Sequence, residues 1–195
     1  LYQFGWEHCE PSHSFGPAMR NHFLFHYVIS GTGTLIAENS KKESISYSIK
    51  SGQGFMIFPN QICTYIADAQ QPWEYVWIEF DGLRAKETVE LSGLCVNSPV
   101  YKAKYKDIAQ TMKDEMLYIV NHKDDSPFHL IGHLYLFIDS FVKSSAITQI
   151  SKSNNLRDFY IKEALSFIEQ NFQNDITVEE IAACCGLNRS YFGKI

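Results

Sequence analysis

Two short segments of the first hundred residues carry side chains suited to binding a small polar molecule. In the strand-like segment WEYVWIEF, every second side chain lies on one face, which groups a phenol, an indole and a carboxylate. The same alternation in ICTYIA groups a thiol with a second phenol. Aromatic rings pack against the C–H face of a carbohydrate, while a carboxylate and a guanidinium bond its hydroxyl groups. The predicted ligand-binding residues are Arg20, His26, Cys63, Tyr65, Tyr75, Trp77 and Glu79.

Ordinary structural roles also explain these residues. Trp77 and Tyr65 fit a hydrophobic core, and His26 fits an interior histidine whose neighbours satisfy it. Glu79 and Arg20 are able to form an ion pair with each other. A nonsugar metabolite suits the same set of side chains, so the residues by themselves leave the ligand class open.

Enzymatic and metal-dependent chemistry has little support in the sequence. The chain lacks the G-x-S-x-G nucleophile elbow, the P-loop and the glycine fingerprint of dinucleotide-binding folds. In HCEPSH, the residues His8, Glu10 and His13 lie in a Pro- and Ser-rich arm, where a rigid three-ligand face is not expected. His129 and His133 are four residues apart without a carboxylate between them, which favours packing. We therefore predict no catalytic residue, no bound metal and no cofactor.

The predicted ligand-binding residues fall in a region rich in β-strand signals. FLFHYVISGTGTLIAEN is β-branched and aromatic, and Gly31 and Gly33 break it as in two strands joined by a tight turn. The alternating ISYSI precedes another glycine turn and FMIFP, and a Gln-Gln-Pro break precedes WEYVWIEFDG. Short strands without intervening helices predict an antiparallel sandwich or small barrel.

Helical periodicity begins after about residue 84. KYKDIAQTMKDEMLYIVNH sets apolar side chains among charges, and SPFHLIGHLYLFIDSFVKSS begins with Ser126 and Pro127 in the cap and first-turn positions. The second helix is apolar on more than one side, so it must bury more than one face. Packing on the barrel and on the neighbouring helix explains this, and so does a dimer seam; periodicity does not identify the partner.

A polar segment separates these helices from a smaller unit. Residues 144–156 are Ser- and Asn-rich and lack a helical stripe, which predicts a linker. Beyond it, an amphipathic helix leads into ITVEEIAACCGLNRSYFGKI. Thr177 and Glu180 form a capping-box pattern there. Gly186 supplies the positive φ that a sharp turn prefers, and Asn188 is placed to cap a further helix.

This order of elements is typical of a helix-turn-helix motif. In such a motif the second helix presents its first side chains to the DNA major groove. Arg189 is suited to a guanine edge or a phosphate, and Ser190 and Tyr191 are suited to backbone oxygens. A plain helical hairpin explains the spacing nearly as well. The predicted DNA-binding residues are Asn188, Arg189, Ser190 and Tyr191.

Composition and charge narrow the class of protein further. The 195 residues carry a net charge of -5, so any contact with nucleic acid must come from a local surface. The five cysteines are unpatterned, which argues against a disulfide framework and against a paired-cysteine zinc site. The sequence has no membrane-spanning apolar run and no signal-peptide pattern at its start, so we predict a cytoplasmic protein without membrane contact.

The C-terminal motif resembles a known family. NFQNDITVEEIAACCGLNRSYFGKI is similar to the first helix-turn-helix of the AraC-type transcription regulators, in the order N-F, then I-T-x-x-E-I-A, then G-L-N-x-S-Y-F. Upstream, CEPSHSFGPAMRNHFLFHYVISGTGTL and SGQGFMIFPNQICTYIADAQQPWEYVWIEFDG resemble the cupin-type effector domain of the sugar-responsive branch of that family. Together these segments cover nearly all of the chain.

The resemblance implies a mixed α+β fold and the boundaries of its domains. An antiparallel cupin-like β-barrel that binds the effector is expected over residues 1–84, and helices for dimerisation over residues 85–143. The linker at residues 144–156 then leads to a truncated all-α helix-turn-helix unit over residues 157–195. The family joins two such units by a long helix, so the chain is expected to be a piece of a longer regulator.

The resemblance also implies a function. We expect a ligand-responsive DNA-binding transcription regulator, a homodimer whose small-molecule effector, a sugar, controls the geometry of dimer and DNA binding. Trp77 and Tyr65 match positions where the family places an aromatic ring in its sugar pocket, whereas Cys63 replaces a histidine that some relatives carry. The alternatives are a small-molecule-binding dimerisation module without its own DNA binding, and a metal-dependent cupin enzyme.

Overall fold

The structure is a computed structural model that describes residues 1–82, 84–146 and 156–194. Most of the predicted linker, residues 147–155, lies outside the described residues. The strands are β1 (Gln3–His8), β2 (Ser14–Met19), β3 (Phe23–Ser30), β4 (Thr32–Glu38), β5 (Ser44–Lys50), β6 (Gln53–Ile57), β7 (Ile62–Ala67), β8 (Glu74–Phe80) and β9 (Val100–Lys102). The helices are α1 (Ala85–Leu91), α2 (Lys106–Asn121), α3 (Pro127–Ser144), α4 (Leu156–Asn171), α5 (Val178–Cys184) and α6 (Arg189–Phe192).

The chain forms two compact units, residues 1–149 and residues 150–195. The first unit contains two antiparallel sheets, one of five strands in the order β1-β8-β3-β6-β9 and one of four strands in the order β2-β7-β4-β5. The mixed α+β architecture with antiparallel sheets followed by helices is therefore confirmed. The sheets are not closed into a barrel, because each described strand pairs only within its own sheet and turns carry the chain between the two.

Alternate side chains of the five-stranded sheet face two different cores. On one side, residues such as Phe25, Val76 and Ile78 pack with the helices α1 to α3. On the other side, Leu24 and Tyr75 pack with side chains of the four-stranded sheet. The two-residue period of a strand produces this separation, since successive side chains point to opposite faces. The predicted ligand-binding residues of β3 and β8 lie on the side that faces the other sheet.

The N-terminal arm is part of the sheets. β1 pairs with β8 at the edge of the five-stranded sheet, and β2 pairs with β7 at the edge of the four-stranded sheet. The sequence alone did not predict these two strands, because Pro11 and Ser12 interrupt the segment and are typical of irregular structure. The arm therefore contributes one strand to each sheet beside the predicted ligand-binding residues.

Helix α3 has one buried and one exposed apolar face. The Ser126 side chain accepts a hydrogen bond from the His129 backbone N–H at 3.3 Å, and Pro127 is the first helical residue, which confirms the predicted start. The buried face packs on α2 and the sheet with Leu130, Leu134, Phe137 and Phe141. Phe128, Ile131, Tyr135 and Leu136 remain 86%, 41%, 68% and 52% exposed. No helix in the described part of the chain has the length and apolar character that crossing a bilayer requires.

The second unit has the predicted helix caps. Thr177 and Glu180 form a complete capping box at the start of α5. Gly186 has φ of +68°, and the Asn188 side chain accepts a hydrogen bond from the Tyr191 backbone N–H at 2.8 Å. The sharp turn between α5 and α6 follows from these three features.

Candidate ligand-binding site

The candidate site is built around His26, in the middle of β3 and only 1% exposed. Its ring stacks on Phe55 with centroids 4.5 Å apart. The Tyr65 and Tyr75 rings lie 4.9 Å and 5.0 Å from it, and the Trp77 indole lies 6.5 Å away. Strand pairing explains the grouping, because His26 stands opposite both Trp77 and Phe55 in the five-stranded sheet. Four of the seven predicted ligand-binding residues thus form one aromatic group.

A charged group adjoins these rings. One oxygen of Glu79 lies 3.4 Å from Nη1 of Arg20 and the other lies 3.3 Å from Nδ1 of His22. The Arg20 guanidinium also lies 5.3 Å above the ring of Phe15, which stacks on Tyr65 at 5.3 Å. The ion pair that sequence reasoning weighed for Glu79 and Arg20 is therefore formed, and it lies against the aromatic group.

Two polar atoms of the site are buried without a partner among the described residues, Nδ1 of His26 and Nε of Arg20. A buried polar atom left without a hydrogen bond destabilises a protein by about 1–3 kcal/mol, so each such atom calls for an explanation. Burial, together with the positive charge of Arg20, lowers the pKa of His26 to about 3. The imidazole is consequently neutral at pH 7 and offers one donor nitrogen and one acceptor nitrogen.

The phenols and thiols of the site are held in their neutral forms. Burial raises the pKa of both Tyr65 and Tyr75, and the Tyr75 hydroxyl donates a hydrogen bond to Oε2 of Glu7 at 3.0 Å. Burial also raises the pKa of the Cys63 thiol to about 11. Burial, with the charge of Glu7, raises the pKa of the Cys9 thiol to about 11. At neutral pH these groups are hydrogen-bond donors, which suits the hydroxyl groups of a polar ligand.

The Trp77 indole lies directly across the backbone of Gly5 in β1. A Cβ atom added at Gly5 would come within 2.9 Å of three atoms of that indole. The pairing of β1 with β8 places Gly5 opposite Trp77 and Glu7 opposite Tyr75. The N-terminal strand therefore supplies both a space for the indole and a carboxylate for the phenol.

Sequence reasoning missed several members of the site. They are Gly5, Glu7, Phe15, His22 and Phe55. Strand alternation in QFGWEH and QGFMI carries a signal for three of them, Gly5, Glu7 and Phe55. The pairing of β1 with β8 and of β2 with β7 depends on residues distant in sequence, which alternation cannot reveal.

The predicted DNA-binding residues lie together at the start of α6 in the second unit. Asn188 caps the helix, and the Arg189 guanidinium pairs with the carboxylate of Glu179. Ser190 and Tyr191 are exposed, the latter by 49%. The side chains of Ser190 and Tyr191 are therefore available to an incoming surface, while Arg189 would have to leave its carboxylate.

A separate groove of about 510 Å³ opens on the helix side of the sheet. It contains none of the predicted ligand-binding residues. The residues that line it include Tyr27, Gln53, Lys102, Lys106, Ala109 and Gln110. It lacks the cluster of aromatic rings and unpartnered polar atoms that distinguishes the site around His26.

Comparisons with known proteins agree with this architecture. Residues 1–138 match the model of the AraC-like ligand binding domain family. The Msm operon regulatory protein of Streptococcus mutans is 26% identical over 98% of this chain and 68% of its own length. The raffinose operon transcriptional regulatory protein RafR of Pediococcus pentosaceus is 29% identical over 96% of this chain and 67% of its own length.

A solved structure shares the fold. The crystal structure of the AraC-like transcriptional activator CuxR covers 92% of this chain and 65% of its own, with 14% sequence identity and a TM-score of 0.50. These relatives are transcription regulators, and the family match spans most of the chain, including both sheets and much of α3. The chain therefore belongs to the AraC-type transcription regulators, with an AraC-like ligand-binding domain at residues 1–138.

Proposed function

We propose that the first unit senses a sugar, which binds between the two sheets and contacts Trp77, Tyr65 and His26. The observation that carries this proposal is the pair of buried, unpartnered atoms, Nδ1 of His26 and Nε of Arg20, beside a group of aromatic rings. A sugar hydroxyl both donates and accepts, so the hydroxyl groups of a sugar are able to satisfy an imidazole nitrogen and a guanidinium N–H. The aromatic rings supply the flat apolar surface that the C–H face of a sugar requires.

The named relatives support a carbohydrate effector. One of them is named for the raffinose operon, and raffinose is an oligosaccharide. We infer that the effector of this chain is a carbohydrate of the same general class. The donors of the site, neutral Tyr65 and Tyr75 together with Arg20, and the acceptor Glu79 match a neutral molecule rich in hydroxyl groups.

We further propose that the protein acts as a homodimer whose α3 helices meet. The exposed face of α3 presents Phe128, Ile131 and Tyr135 at spacings of three and four residues, with Leu136 beside them. Large apolar side chains in this arrangement are typical of a helix-to-helix interface. The buried face of α3 then packs within the subunit, and its exposed face forms the dimer interface. These are the two roles that the sequence suggested for this helix.

The second unit provides the DNA contact in this proposal, through Asn188, Arg189, Ser190 and Tyr191 at the start of α6. The effector acts by binding one arrangement of the dimer better than another. A tenfold change in DNA occupancy requires a coupling free energy of about 1.4 kcal/mol between effector binding and DNA binding. One or two hydrogen bonds that form in only one arrangement of the dimer are sufficient for this. The protein in this proposal is a regulator and not an enzyme.

A thermal-shift screen against monosaccharides and oligosaccharides tests the effector site. At a sugar concentration of about 100 times Kd, binding stabilises the folded state by about 2.7 kcal/mol. For a unit of this size the melting temperature then rises by about 5–10 °C. Trp77→Ala should abolish the shift, because the variant lacks the ring that faces the sugar.

The matched control is Trp6→Ala. Trp6 is 48% exposed and its indole N–H donates a hydrogen bond to Glu74, so it lies on the opposite face of β1 from the candidate site. This variant should respond to the sugar as the wild type does. A well-folded wild type that no sugar of the panel stabilises would refute the carbohydrate proposal and point to a nonsugar metabolite.

A further inference from the structure

We propose that Glu7, Cys9 and His13 form a Zn²⁺-binding site on the N-terminal arm. One ligand atom from each of these side chains lies within 4.8 Å of the other two. Nε2 of His13 and Oε1 of Glu7 are already 3.5 Å apart. Sequence reasoning considered His13 with His8 and Glu10, whereas the fold brings His13 to Glu7 and Cys9.

The three side chains match the preferences of zinc. A thiolate, an imidazole and a carboxylate are the three ligand types that Zn²⁺ takes in proteins, at about 2.3, 2.0 and 2.1 Å. In a tetrahedron with these bond lengths the ligand atoms stand about 3.3–3.6 Å apart. The separation of the His13 and Glu7 atoms falls in this range, and the widest separation in the group, 4.8 Å at most, must shrink by about 1 Å. The fourth position is left for a water molecule.

The backbone holds these positions in place. The Cys9 N–H donates to the Trp73 carbonyl at 2.8 Å, and the Ala67 N–H donates to the His13 carbonyl at 2.8 Å. The first bond attaches Cys9 to the residue before β8, which belongs to the five-stranded sheet. The second attaches His13 to the end of β7, which belongs to the four-stranded sheet. An ion bound here would therefore tie the five-stranded sheet to the four-stranded sheet at the arm.

A second hydrogen bond orients the carboxylate. The Tyr75 hydroxyl donates to Oε2 of Glu7, which leaves Oε1 directed to His13. Outer partners of this kind fix the orientation of metal ligands in proteins. The Cys9 thiol must lose its proton to the solvent as the ion binds, since zinc takes the thiolate. The proposal does not rest on sugar binding, although Glu7 and Tyr75 belong to both sites.

Two histidines of α3 offer a second place where an added metal ion could bind. Nε2 of His129 and Nε2 of His133 lie 3.3 Å apart on α3, the separation expected for two imidazoles on one tetrahedral ion. Nδ1 of His133 contacts Glu115, and Asp125 is 3.8 Å from His129. This group contains no sulfur, so a spectroscopic signal from a metal-thiolate bond distinguishes the two locations.

The experiment is a titration of the metal-stripped chain with Co²⁺, which takes the place of Zn²⁺ and absorbs light. We expect a thiolate-to-cobalt charge-transfer band in the near ultraviolet that saturates at one ion per chain and disappears when Zn²⁺ is added. Cys9→Ser should abolish the band. His13→Ala, at a half-exposed residue whose loss spares the core, should weaken Co²⁺ binding by more than about tenfold.

Two controls locate the ion. His8→Ala changes a neighbouring exposed histidine outside the group and should leave the titration unchanged. The double variant His129→Ala, His133→Ala should keep the charge-transfer band in full. A wild type without the band at millimolar Co²⁺, or a band that survives in Cys9→Ser, would overturn the proposal. Circular dichroism without metal shows whether each variant is folded, and the His13→Ala result stands even where Cys9→Ser unfolds.

Discussion

The two faces of the five-stranded sheet differ in chemistry although they share the same strands. In β3 and β8, the helix side carries Phe25, Val76 and Ile78, which are fully buried among apolar neighbours. The opposite side carries His26, Trp77 and other residues with polar atoms, and Nδ1 of His26 has no hydrogen-bond partner among the described residues. The helix side gains free energy mainly from apolar burial, whereas the other side places a hydrogen-bonding group where its missing partner destabilises the free protein.

The two faces are therefore expected to serve different purposes, one the stability of the fold and the other the proposed binding of a ligand. A buried face made mainly of apolar side chains is held by close packing and offers few polar groups to a ligand. A face with unsatisfied donors and acceptors has free energy to gain when a ligand supplies the missing bonds. Substitutions on the two faces should therefore differ in which measurement they change.

The largest expected effect is on the helix side. Phe25→Ala removes a ring that is 0% exposed and contacts Tyr101, Phe137 and Phe141, so the free energy of unfolding should fall by about 3–5 kcal/mol. Urea denaturation followed by circular dichroism measures the loss. Any protein that remains folded should keep its sugar-dependent thermal shift; a folded variant that has lost this shift would contradict the separation of the faces.

The next largest effect is a dependence of the free energy of unfolding on pH, caused by His26 on the face toward the four-stranded sheet. The unfolded His26 binds a proton below its ordinary pKa of 6.5, whereas the folded one does so only near 3. Stability is therefore complete above pH 6.5 and falls as the pH drops, by about 1.4 kcal/mol per unit once well below 6.5 and down to about pH 3. His26→Phe keeps an aromatic ring and removes this titration.

Urea midpoints of the wild type and of His26→Phe between pH 7 and pH 4.5 test this prediction. The difference between the two proteins should change by about 2–3 kcal/mol over that range, in favour of the variant at low pH. Parallel pH profiles would show that His26 is not held neutral by its surroundings. The same variant should fail to respond to the sugar, since the phenyl ring has no nitrogen.

A smaller effect is expected at the buried carboxylate. Glu79→Gln removes the charge that faces Arg20 and His22, and the free energy of unfolding should fall by about 1–3 kcal/mol. Because the glutamine keeps an oxygen acceptor, part of the Arg20 contact remains. Sugar affinity, measured by calorimetry, should fall as well, since the guanidinium loses its fixed position. Unchanged affinity would place Glu79 outside the site and leave it a structural ion-pair partner.

The smallest effect on stability is expected for Trp77→Ala, about 1–2 kcal/mol, because the indole is only partly buried. Its effect on sugar binding should nevertheless be complete. Denaturation and sugar titration of the same preparation measure the two quantities together. A large stability loss with intact sugar binding would make Trp77 a core residue, the alternative that the sequence left open.

Local sequence patterns predicted much of this fold. Two-residue alternation identified the faces of β7 and β8, and cap residues marked the starts of α3 and α5 where the structure has them. Both signals act over a few residues, so they are readable without knowledge of the tertiary structure. The antiparallel character of the strands followed from the absence of helices between them.

Long-range pairing limited the prediction of the site. Phe15 and Tyr65 meet because β2 pairs with β7, and Glu7 reaches Tyr75 because β1 pairs with β8. Phe15 and Tyr65 are 50 residues apart in the sequence. Glu7 and Tyr75 are 68 residues apart. Local propensity contains no information on such pairs, so the arm's part in the site became visible only in three dimensions.

The Gly5 position shows how a residue without a side chain can fix the position of an aromatic ring. The Trp77 indole occupies the space where a methyl group at Gly5 would lie, 2.9 Å from its ring atoms. Any larger residue there would turn the indole away and so reshape the proposed sugar site. A substitution at this one backbone position would therefore move Trp77 while leaving every aromatic ring of the candidate site in the sequence.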